Sequence, residues 1–157
     1  MSGLFQGAKH AKAYALYRPV FPAHVFEDLV SYCKTVGNKL GFALDIGCGS
    51  GQGTNPFSPH FTQVVGIDPS APQIAQAKPS APNVQFKVGT SEDLSQFSDS
   101  SVDFACAFQA LHWFDTKLFY PEIKRVLAPR GVLAACGYGN VSMDNQEATD
   151  IISKVQS

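Results

Sequence analysis

Five near-continuous apolar runs recur along the chain: FALDI (42–46), QVVGI (63–67), VQFKV (84–88), VDFACAF (102–108) and GVLAACG (131–137). Rich in β-branched and aromatic residues and bounded by Gly, Pro, Asn or Ser, they read as strands. Between them the pattern changes to amphipathic helical pieces: one after Gly51, then SAPQIAQAK (70–78), SEDLSQF (91–97) and TKLFYPEIKRVL (116–127). Ahead of the first strand, AHVFEDLVSYCKTV sets Val25, Phe26, Leu29, Val30 and Cys33 on one helical face. Strands that do not alternate are buried on both faces, and the intervening helices supply the cover. The pattern therefore predicts an α/β fold, a doubly wound and mainly parallel sheet with right-handed crossovers. The last stretch, VSMDNQEATDIISKVQS (141–157), reads as a helix with Ala148, Ile151, Ile152 and Val155 on its apolar face. With no repeat and no linker, one domain over 1–157 is expected: an N-terminal cover and first helix (1–40), a sheet core (41–140) and a C-terminal helix (141–157).

Composition narrows the partners. At 157 residues and 45% hydrophobic, the chain can bury a substantial core, and a net charge of −1 with scattered Lys and Arg leaves no basic stripe for nucleic acid or an anionic membrane. A small-molecule partner is expected instead. Cys33, Cys48, Cys106 and Cys136 form no Cys-x-x-Cys pair, which points to free thiols in a reducing compartment and to no bound metal. No signal peptide opens the chain and no run of eighteen apolar residues follows, so a cytoplasmic location is expected.

In a doubly wound sheet, ligands bind beyond the carboxyl ends of the strands. The first strand ends in LDIGCGSGQG, where Gly47, Gly49 and Gly51 let backbone turn sharply and approach a ligand closely. The second ends in VVGIDPS and places Asp68 twenty-one positions after Gly47, the spacing at which a carboxylate accepts hydrogen bonds from the hydroxyls of a nucleoside ribose. The dinucleotide fingerprint Gly-x-Gly-x-x-Gly/Ala is not met, because its sixth position from Gly47 is Gln52. Asp45, just before the glycines, would repel a pyrophosphate and could instead accept from an ammonium group.

Taken together, LDIGCGSGQG, VVGIDPS, SEDL, QALHWFD and VLAPRGVLA resemble the class I S-adenosylmethionine (SAM)-dependent methyltransferases, in particular the small-molecule branch that includes the type 11 and trans-aconitate methyltransferase-like proteins. The resemblance spans residues 10–139. It implies a Rossmann-like fold with SAM as cofactor and methyl transfer as the reaction. It assigns Asp45, Gly47, Cys48, Gly49 and Gly51 to the loop under the methionine moiety, Asp68 to the ribose, and Ser91 and Glu92 to the adenine edge. Thr90 stands where members often carry an acid. Gln109 would face the cofactor or substrate. His112 is the candidate general base, against the alternative of a merely packed histidine. Tyr14, Tyr17, Arg18 and Trp113 are the candidate acceptor-binding residues, Arg18 being able to clamp a carboxylate.

Two departures from the family pattern qualify the expectation. The resemblance implies seven strands, and only five are written here, so the sheet is expected to lack strands six and seven and to self-associate through its open fifth edge. Pro56 and Pro59 fall in the helix after the glycines and should shorten it. Two other functions stay open: a shortened SAM-binding module acting through a partner, and, disfavoured by Gln52, a nicotinamide-dependent oxidoreductase. DNA or RNA methylation is disfavoured by the lack of an Asp/Asn-Pro-Pro-Tyr motif and of a Pro-Cys nucleophile.

Overall fold

A computed structural model describes residues 21–137. Tyr14, Tyr17, Arg18 and the expected helix over 141–157 lie outside the described residues. Five strands form one sheet: β1 (Phe42–Ile46), β2 (Gln63–Asp68), β3 (Val84–Val88), β4 (Val102–Phe108) and β5 (Leu127–Cys136). Their order is β3-β2-β1-β4-β5 and every pairing is parallel. This is the doubly wound, Rossmann-like sheet expected from the apolar runs. The order reverses beside β1, which opens a crevice above the carboxyl ends of β1 and β4.

β1, β2, β4 and β5 divide their residues between two cores, and β3 contributes to the first alone. On one face Ala43, Val64, Val84, Phe104, Cys106 and Phe108 pack with Phe57, Phe61 and helix α1 (Ala23–Thr35), which buries Phe26, Val30 and Cys33. On the other, Leu44, Ile46, Val65, Ile67, Val102 and Ala105 meet Leu94, Phe97 and helix α3 (Thr116–Val126) through Phe119, Ile123 and Val126. Asp103 fixes the lower edge, its Oδ2 accepting the N–H groups of Gly41 and Phe42 at 3.0 Å each, so that β4 caps the start of β1.

The connections depart from the sequence pattern. After Gly51 no α-helix forms; a single 3₁₀ turn at Asn55–Phe57 replaces it, with Pro56 in its first turn. Pro59 stops it from propagating, since proline lacks the donor and clashes with the preceding turn. Helix α2 is only Ala71–Ile74, not 70–78. Residues 91–97 are not helical at all, although Leu94 and Phe97 are buried as their spacing suggested. Strand β5 begins at Leu127 rather than 131, and its register jumps between the pairs Val102–Leu127 and Phe104–Val132. The extra residues loop out as a bulge in which Arg130 takes a φ of 66°.

Candidate active site

Four connections converge above the sheet's carboxyl edge. The loop after β1 is built on left-handed backbone, with φ of 74°, 56° and 85° at Gly47, Gly49 and Gly51. A side chain is excluded there twice over: a Cβ at Gly47 would lie 2.6 Å from that of Ala110, and one at Gly51 would run into the Phe86 ring. Gly47 and Cys48 both donate their N–H to the Ile67 carbonyl, at 2.8 and 3.0 Å. The loop is thus clamped to β2 before it turns.

Asp68 ends β2 and completes the clamp. Its Oδ2 accepts the Gly49 N–H at 2.9 Å and its Oδ1 accepts the Ser70 N–H at 2.8 Å. An ionised carboxylate offers about four acceptor sites, so two remain for outside donors, and the half-buried side chain is reachable from the crevice.

Beneath the loop lies a buried polar cluster. Asp45 is 2% exposed, and its Oδ2 accepts the Thr54 hydroxyl at 2.6 Å. Asp45 therefore braces the glycine loop from below. Burial, followed by the nearby Asp45 carboxylate, pushes the Cys48 and Cys106 thiols well up from the ordinary cysteine value. Burial pushes Cys33 up to about 11. Thiols so raised are protonated at neutral pH and are not nucleophiles. Cys48 lies in the loop with its Sγ toward the Gly49 carbonyl at 3.6 Å.

On the far side of the crevice, Ser91 is buried and donates its hydroxyl to Glu92 Oε1 at 2.7 Å. The same oxygen accepts the Asp115 N–H at 3.0 Å. Burial raises the Glu92 carboxyl, but the hydrogen bonds it accepts, those from Ser91 and Asp115 foremost, hold it below the ordinary value. Asp115 is the N-cap of α3, its Oδ1 accepting the Lys117 N–H at 3.0 Å. Gln109 leaves β4 with a φ of 53° while its N–H donates to the Cys136 carbonyl at 2.8 Å. A non-glycine residue held in this region is strained, and such strain concentrates at functional positions. His112 and Trp113 follow on an exposed 3₁₀ turn, Trp113 being 56% exposed with the His112 ring 5.0 Å away.

The structure thus ties Gly47, Cys48, Gly49, Gly51 and Asp68 together through hydrogen bonds to one another and to Ile67, sets Asp45 with Thr54 beside them, and places Ser91, Glu92, Gln109, His112 and Trp113 on the loops around them. Over residues 44–135, more than half of the chain, it matches the family model described as a methyltransferase domain. The chain belongs to the class I SAM-dependent methyltransferases. A Dictyostelium discoideum protein described as a methyltransferase is 32% identical over 142 residues, which are 90% of this chain and 52% of that protein. A Saccharomyces cerevisiae protein described as a SAM-dependent methyltransferase is 28% identical over 74% of this chain and 41% of its own. Among solved structures, one described as a type II methyltransferase from Anaeromyxobacter dehalogenans superposes with a TM-score of 0.72 at 35% identity, covering 88% of this chain and 56% of that one. The chain spans about half the length of the relatives it matches.

SAM fits the methyltransferase site as built. The two unfilled acceptor positions of Asp68 suit the paired hydroxyls of its ribose, and the side-chain-free loop beside them suits its methionine end. Thr54 and Phe86 belong to the same machinery, though nothing in the sequence marked them, and so does Gly53, the last glycine of the motif. A Cβ at Gly53 would stand 2.9 Å from the Phe108 ring and 3.5 Å from Asp45 Oδ2, so this glycine supplies the close packing that Gln52 cannot. Elsewhere, a shallow groove of about 370 Å³ beside Tyr32, Val36 and Arg130–Leu133 lies along the amino-terminal half of β5, away from the crevice. Among the described residues no three His, Cys, Asp or Glu side chains are grouped to hold a metal, and no helix is long and apolar enough to cross a membrane.

Proposed function

We propose that this methyltransferase domain methylates a small-molecule acceptor, and that the acceptor group is a carboxylate. The observation that carries the reading is the Asp68–Gly49 clamp, which holds a half-buried carboxylate with spare acceptor capacity against a loop stripped of side chains. When bound, SAM supplies an electrophilic methyl group on a sulfonium, so its own leaving group is built in. What the chain must do is position. The glycine loop excludes bulk and Asp68 orients the ribose. Gln109, fixed by its backbone bond to β5, borders the place where the reacting groups meet.

The acceptor side of the reading rests on composition and on aromatic walls. The exposed Trp113 ring, and the Phe114 ring packed beside Gly47, suit a cationic methyl donor whose charge disperses as it reacts. A carboxylate is already ionised at neutral pH and needs no base, which agrees with His112 being exposed and in contact with Trp113 rather than held by an acid. The resemblance adds Arg18, Tyr14 and Tyr17 as the groups that would clamp such an acceptor. The test is transfer of labelled methyl from SAM to a panel of small mono-, di- and tricarboxylic acids, phenols and amines, with RNA and protein alongside. Turnover on one or more of the acids is expected; labelling confined to RNA or protein would overturn the small-molecule reading.

A further inference from the structure

Residues 91–99 hold their shape without a helix or a strand of their own, and the reason is one side chain on α3. Arg125 uses all five of its N–H donors on this segment and its support. Nε and Nη2 form a bidentate pair with Glu122, at 3.0 Å to Oε1 and 2.9 Å to Oε2. Nη2 also donates to the Leu94 carbonyl at 3.0 Å, and Nη1 donates to the Phe97 carbonyl at 3.0 Å and to Asp99 Oδ1 at 2.7 Å. Glu122 closes the circuit, its Oε2 accepting the Leu94 N–H at 2.9 Å. The backbone then continues along the end of α3, with the Ser100 and Ser101 N–H groups donating to the Arg125 and Val126 carbonyls at 2.9 Å each.

Only Asp93 separates this clamp from Ser91 and Glu92, and Glu92 is tied in turn to the N-cap of the same helix. The segment therefore hangs from both ends of α3. We infer that Arg125, held in register by Glu122, is a positioning residue that sets the wall of the crevice against which the cofactor's base lies, and so tunes affinity for the adenine portion without touching it. The inference rests on the reading of this crevice as the SAM site. A lysine could not substitute, because one ammonium cannot serve two carbonyls and two carboxylates lying around a planar fork.

The test compares two ligands in calorimetric or NMR titrations of the wild type, Arg125→Lys and Glu122→Gln: S-adenosylhomocysteine, and S-ribosylhomocysteine, which keeps the ribose and amino acid but lacks the base. In Arg125→Lys, binding of S-adenosylhomocysteine should weaken about tenfold or more while S-ribosylhomocysteine changes less than about threefold, the size of loss expected when positioned hydrogen bonds are released. Glu122→Gln is nearly isosteric and exposes no new cavity, so it keeps the test open should Arg125→Lys fail to fold, and it should show the same selective loss to a smaller degree. A purely structural role would weaken both ligands equally in both variants, and an unchanged ratio overturns the inference. Failure of the wild type to bind S-adenosylhomocysteine at all would instead overturn the SAM reading of the crevice.

Discussion

The glycine loop on β1 and the turn after β4 border the same crevice and are held in different ways. Around β1 and β2 the loop N–H groups of Gly47, Cys48 and Gly49 are spent on Ile67 and Asp68, the glycines sit at positive φ against Ala110 and Phe86, and Asp45 is sealed below with Thr54. After β4, His112 and Trp113 stand exposed on a single 3₁₀ turn. The difference teaches where the fold invests its rigidity. The side assigned to the cofactor is held by the chain's own hydrogen bonds and packing, and a site fixed in that way has a lower ordering cost of binding. The turn after β4 is left open, and its exposed residues can change without disturbing the core.

The sharpest way to break this contrast is at Gly51. Alanine there meets the Phe86 ring at a φ of 85°, adding roughly 1–2 kcal/mol for left-handed backbone to about 1–3 kcal/mol for overpacking. Thermal unfolding of Gly51→Ala should show a drop of many degrees together with lost SAM binding. Asp68→Ala comes next. It removes the Gly49 and Ser70 partners as well as the ribose contact, and should cost roughly 2–4 kcal/mol of cofactor affinity, about 30- to 1000-fold, in a folded protein. Unaltered affinity in that variant would remove Asp68 from the site.

On the open side, smaller effects are expected. His112→Ala should lower kcat less than about tenfold, short of the 10²–10⁴ of a general base, and should leave the melting temperature within about a degree or two. A collapse of kcat with a preserved KM would show that the acceptor has to be deprotonated. The smallest effect is on pH. The bidentate Arg125 and the Leu94 N–H hold Glu122 below the ordinary glutamate value of 4.5, as the Ser91 and Asp115 bonds do for Glu92 against its burial. A carboxylate lowered in the folded state stabilises fully above its unfolded pKa, and this stabilisation is lost as pH falls through the folded pKa. Melting temperatures should therefore decline below about pH 4.5, and Glu122→Gln should flatten part of that decline while leaving the neutral range alone.

How far the sequence revealed this molecule depends on what each feature is made of. The five strands were readable because burial on both faces leaves a continuous apolar run, and Asp68 was readable because strand length and crossover fix its distance from Gly47. Features made by tertiary hydrogen bonds were not. The 91–97 stretch has the apolar spacing of a helix in Leu94 and Phe97, yet its carbonyls go to Arg125, thirty-one and twenty-eight residues away, and nothing local records that choice. Thr54 serves Asp45 across nine residues of irregular loop, a spacing that belongs to no periodic element. The helix after the glycines failed where Pro56 and Pro59 said it should be weak. β5 began early because its bulge carries Pro129, Arg130 and Gly131, which read as a turn.

The central claim is that the rigid side of the crevice is a SAM site. Its most direct test is calorimetric titration of the wild-type chain with SAM, with S-adenosylhomocysteine and with NAD under the same conditions. Saturable one-to-one binding of SAM and S-adenosylhomocysteine, with no heat from NAD, is the predicted result. Binding of NAD without either SAM or its demethylated product would contradict it.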